Sequence, residues 1–173
     1  MGEAVAQAFL RPKGPLGLAL DHSCRAFALG GGLVLAAMAL MTVVSVIGRA
    51  TIGTPITGDF ELVQMGCAIS VAMFLPFCQM VRGHIIVDFF TIKAHRHVLA
   101  ILDTIAALVL AAAAFLVAWR LWAGLLELRG GGDSSMILRV PTWYAYVPMV
   151  PSFVLLGFAA LYTAFARLYE ARA

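Results

Sequence analysis

Charge is what this chain has least of: only 12% of its residues are Asp, Glu, Lys or Arg, against about a quarter in an ordinary soluble domain. With 62% hydrophobic residues and a mean hydropathy of +0.96, the sequence belongs in a bilayer. A net charge of +3 does not point to nucleic acid as a partner, because the twelve Lys and Arg sit mainly at the ends of apolar runs, where they anchor helices at the interface. Cysteine is scarce as well. Cys24, Cys67 and Cys78 form no CxxC pair and two of them lie inside an apolar run, so they read as small packing residues rather than a disulfide framework or metal site.

The histidines are in the wrong places for a haem-binding bundle, since His22, His84, His95 and His97 all fall outside the long apolar runs. There is no Ser/His/Asp constellation, Gly-rich phosphate loop or metal-spaced cluster, so the sequence proposes no enzyme, no catalytic residue and no cofactor or metal. The mid-membrane acid of a small multidrug carrier is missing, as are the inverted repeats and broken helices of a secondary transporter.

What is present is organised around the stretch from Gly58 to Thr91. The twenty residues between Glu61 and Arg82 carry no charge, and at about 1.5 Å each they cross a hydrocarbon core of about 30 Å. Beyond Arg82, the residues His84, Asp88, Thr91 and His95 recur at helical spacing with Ile85, Ile86, Phe89 and Ile92 facing elsewhere. That pattern predicts a short amphipathic helix lying on the membrane surface.

The expected architecture is all-α, a single membrane domain over 1–173. It has a cytoplasmic tail (1–25), transmembrane helices over about 26–48, 62–81, 98–120 and 141–166, and an interfacial helix over about 84–95. Ala28, Gly32 and Ala36 make a small-residue stripe on the first helix that lets another helix approach closely. Residues 16–27 suit a short interfacial helix, Pro76 a kink in the second span, and the GGGDSS stretch a flexible turn. The scattered polar residues in the spans, Thr42, Ser45, Gln64, Ser70, Gln79, Ser152 and Thr163, suit interhelical hydrogen bonds. Trp119, Trp122, Trp143, Tyr144 and Tyr146 gather into an aromatic belt at one membrane face.

Eight Lys and Arg (Arg11, Lys13, Arg25, Arg82, Lys93, Arg96, Arg167, Arg172) fall on one side and four (Arg49, Arg120, Arg129, Arg139) on the other. This excess puts both termini and the surface helix in the cytoplasm. The residues alone describe a structural or accessory membrane subunit. Its competitor is a self-contained four-helix exporter acting as a homo-oligomer.

Arg49 closing the first helix, the acidic re-entry GDFELVQ, the exit VRGHIIVDFF and the late RVPTWYAYVP segment, in this order and spacing, resemble the small (DctQ-like) membrane subunit of TRAP transporters, the tripartite ATP-independent periplasmic systems. At the re-entry Asp59 and Glu61 are separated by Phe60, where the family often has adjacent acids. The resemblance implies a partner role: binding and steadying, one to one, a much larger membrane subunit that carries organic acids on a sodium gradient, with substrate delivered by a periplasmic binding protein. On that basis Arg49, Glu61, Arg82, His84 and Asp88 are candidates for anchoring and for partner or lipid contact. Lys93 and Arg96 suit an anionic membrane lipid.

Overall fold

The computed structural model describes residues 15–51, 53, 56–81 and 96–172. They form four helices: α1 (Pro15–Thr51), α2 (Asp59–Met80), α3 (Arg96–Gly131) and α4 (Trp143–Arg172). All four are long and apolar enough to cross a membrane. The expected surface helix over 84–95, and with it Arg82, His84, Asp88 and Lys93, lies outside the described residues.

Helix α1 opens on Pro15, whose fixed φ and missing N–H suit a first turn, and closes with Arg49 against the negative end of the helix dipole. The segment over 16–27 is not a separate interfacial helix. Its Leu- and Ala-rich sequence continues straight into the span, and Arg25 pairs with Asp21 one turn away at 2.9 Å. Helix α3 runs past Arg120 to Gly131, because LWAGLLEL favours helix as strongly as the apolar stretch before it; Gly132, at φ 69°, then ends the run. Helix α2 is unbroken through Pro76, and α4 through Pro148 and Pro151. In α4 the Ser152 hydroxyl donates to the Pro148 carbonyl at 2.8 Å.

The helices pack in a row. Helix α1 lies on α2, α2 on α4 and α4 on α3, with α1 only grazing α4. Because lipid tails are as apolar as Leu, close packing has to hold these pairs together. On α3 the residues Ala107, Ala111, Ala114 and Ala118 recur at 4–3–4 spacing and are buried, as are Ala145, Ala159, Ala160 and Ala164 on α4. The Phe115 ring fills the space over Gly157, where a Cβ would come within 2.7 Å of it, and meets Phe158 edge-on at 5.5 Å. Between α1 and α2 a Cβ on Gly66 would lie 2.5 Å from the Met38 side chain, and one on Gly31 would lie 3.0 Å from Met73 Cβ and 3.2 Å from the Ser70 carbonyl oxygen, the point where α1 meets the α2 backbone.

Polar residues inside the spans divide into three groups. Gln79 donates to Thr163 across the α2–α4 interface at 3.0 Å, and Ser45 reaches Asp59. Thr42 and Ser152 instead return to the carbonyl four residues back in their own helix. Among the described residues, neither the buried Ser70 hydroxyl nor the exposed Gln64 side chain has a hydrogen-bond partner. The expectation of interhelical bonds throughout is thus met by the first group only, since a short hydroxyl satisfies itself locally more readily than it reaches a neighbour. Cys24 is wholly buried among Met80, Ala159 and Leu20, whereas Cys67 is half-buried and Cys78 is exposed.

Candidate functional site

The end of the bundle that carries the α1–α2 and α3–α4 connections is built around two carboxylates. Gly58 caps α2 at φ 80°, a conformation costly for any residue with a Cβ, and the Leu138 side chain occupies the place a Cβ would take, 2.5 Å away. This lets the α3–α4 loop sit directly on the first turn of α2. Glu61 then holds the loop: one oxygen accepts from the Ile137 N–H at 3.1 Å, the other from the Leu138 N–H at 3.2 Å and from the Ser135 hydroxyl. Asp59 does the same for the other connection. It accepts from the Ser45 hydroxyl at 2.5 Å and from the Phe60 N–H at 2.7 Å, while Ser45 Oγ accepts from the Ile56 N–H. Both acids lie in the first turn of α2, where the helix dipole favours negative charge.

The loop over 132–142 is a built structure rather than a flexible turn. Ser135 N–H donates to Val140 O, Arg139 N–H to Ser135 O and Thr142 N–H to Asp133 O, with Ser134 and Pro141 bridged and Arg139 at φ 52°. Its sequence hid this because GGGDSS is permissive in composition, while the bonds that order it come from Glu61, more than seventy residues away in the chain. The aromatic residues gather at this end: Trp143 stacks on Tyr144 at 4.2 Å, and the Arg129 guanidinium lies over the Trp143 ring at 5.7 Å.

The sequence-derived candidates among the described residues are dispersed. Glu61 is half-buried and fully used in the loop contact; Arg49 is exposed at the end of α1. Ala28 and Gly32 are half-buried and Ala36 is exposed, and a Cβ on Gly32 would touch nothing within 4 Å. Arg96 begins α3. Sequence reasoning missed Ser135, Gly58 and the Asp59–Ser45 pair. The only signal for them was the clustering of acids at a helix start opposite Gly- and Ser-rich connections. Among the described residues, no three His, Cys, Asp or Glu side chains come together to hold a metal ion.

The fold and this end of the bundle define a multi-pass helical membrane protein whose polar chemistry joins its own segments. The chain belongs to the DctQ family: the family model described as tripartite ATP-independent periplasmic transporters, DctQ component, matches residues 38–170, from the middle of α1 to the last turn of α4. It is a component of a TRAP transporter and not an enzyme. No curated protein and no solved structure matches it.

Proposed function

We propose that this chain is the small integral-membrane subunit that binds and steadies the large transport subunit, one to one, during sodium-driven uptake of organic acids delivered by a periplasmic binding protein. It resides in the bacterial inner membrane with both termini in the cytoplasm. The observation that supports this reading is a face of α1 that no described residue covers. In its most apolar stretch 6% of residues are buried, against 39% in α4. Leu29, Leu33, Ala36, Leu40, Val43 and Ile47 follow at helical spacing, and all are exposed. Gly32 lies beside them with open space where a side chain would be, so a second helix backbone can come close. Arg49, Glu61 and the stretch from Arg82 through His84, Asp88, Lys93 and Arg96 serve as anchors and as contacts with partner or lipid.

The test is Gly32→Leu in the full system, with Asp88→Ala probing the surface segment. Gly32→Leu is expected to leave the isolated chain folded while reducing both copurification with the large subunit and sodium-driven uptake. If both persist, α1 is not the interface. If the wild-type chain never copurifies with a large subunit, the reading fails altogether.

A further inference from the structure

An open groove runs down the surface between α2 and α4. Its upper part, about 440 Å³, is lined by Glu61, Gln64, Ser134, Ser135, Thr142 and Tyr146 among others; its lower part, about 370 Å³, is apolar and lined by Cys67, Val71, Leu75 and Phe153. The two parts share Ala68 and Met149 and form one trough. Its depth comes from small residues, Ala68 and Ala72 on α2 and Ala145 on α4, where larger side chains would fill it. From Glu61 to Leu75 the trough descends about 21 Å at helical rise, more than the roughly 15 Å of one leaflet's hydrocarbon.

We infer that this groove is a binding site for one phospholipid of the leaflet on the α3–α4 loop side, with its head at Gln64, Ser134, Thr142 and Tyr146 and one acyl chain against Val71, Leu75 and Phe153. Three observations select this occupant. The polar-to-apolar gradient runs along the helices, as a lipid's own does. Among the described residues, the side chains of Gln64, Ser134, Thr142 and Tyr146 have no hydrogen-bond partner, which leaves an amide and three hydroxyls for ester and phosphate oxygens. The lower trough is lined by Cys67, Ala68, Val71, Ala72 and Leu75 on α2 and by Met149 and Phe153 on α4, an apolar strip along the helix axis that a hydrocarbon chain can follow. The one ionisable carboxylate in the lining is Glu61, so the head it favours is zwitterionic with an ammonium group rather than anionic.

The site depends only on the chain spanning a membrane, and the isolated chain in nanodiscs tests it without a large subunit. A phosphatidylethanolamine carrying a photoreactive group midway along one acyl chain is included with unlabelled lipid, and the crosslinked peptides are mapped. Labelling is expected to concentrate on the Cys67–Leu75 and Met149–Phe153 stretches. Ala68→Trp should lower it severalfold, while Ala113→Trp on the exposed face of α3 should not. Gln64→Leu, which leaves the trough open, should lower labelling by phosphatidylethanolamine and phosphatidylglycerol probes alike, because the lost amide serves phosphate and ester oxygens that both lipids carry. Labelling spread evenly over all lipid-facing helices, or unchanged by Ala68→Trp in a chain that remains folded, would overturn the proposal.

Discussion

Glu61 shows how one side chain can position a whole connection. Both of its oxygens face backbone N–H groups, those of Ile137 and Leu138. Glu61→Gln therefore cannot replace it, since one oxygen becomes an amide that presents hydrogens to a donor. Glu61→Ala leaves the same amides to water. Hydrogen exchange at Ile137 and Leu138 is expected to quicken in both variants, with the amides of mid-α4 unchanged. Equal protection in Glu61→Ala and wild type would mean that the loop's own bonds, such as Ser135 N–H to Val140 O, suffice. Gln79 is a second case. Its bond to Thr163 crosses a buried interface, and such bonds in membranes are worth about 0.6 kcal/mol on average and at most about 1.7. Gln79→Leu should lower stability by that order in detergent unfolding, because Thr163 keeps its own acceptor in the Ala160 carbonyl.

Helices were the most legible part of the sequence and their faces the least. The four apolar runs could be read directly, since nothing but a helix satisfies a lone backbone in lipid. Which face of α1 meets α2 could not, because that helix is apolar all round and carries three glycines in succession, Gly30 to Gly32. The spacing of Ala28, Gly32 and Ala36 marks a small-residue stripe, but spacing alone does not say whether the stripe turns inward. Gly31, next to it, makes the close approach to Ser70 and Met73. The same holds for the α3–α4 contact, whose alanines look in sequence like any other apolar residues. The two neighbouring glycines give a paired prediction. Gly31→Leu must push α1 off the α2 backbone, overpacking that costs about 1–3 kcal/mol, and should lower the unfolding temperature of the isolated chain. Gly32→Leu should not lower it. Equal effects from the two substitutions would remove the distinction between inner and outer faces.

For the molecule as a whole, orientation and transport competence are the quantities that matter. The proposed orientation, drawn from the eight-to-four excess of Lys and Arg, has the loop-bearing end outside. With Cys24, Cys67 and Cys78 replaced by Ser, Ser134→Cys lies on the exposed α3–α4 loop and should react with an impermeant reagent in intact cells. Ala173→Cys should react only after the inner membrane is opened; the opposite pattern would invert the topology.

The lone chain should also carry nothing. An anion crossing a membrane protein needs a basic group or helix ends turned into a cavity. Here Arg120 and Arg129 are exposed on α3, lying over the rings of Trp119 and Trp143, and the four helices run unbroken. The groove between α2 and α4 opens sideways along the bundle and has a carboxylate at its mouth, which repels an organic acid. Reconstituted alone in liposomes with a sodium gradient, the protein is expected to give no uptake of organic acids above empty vesicles, and adding the large subunit together with the binding protein should be what brings transport. Saturable, sodium-dependent uptake by the lone chain would place a carrier site within these four helices, and the assignment of this subunit as a partner that steadies another would then fall.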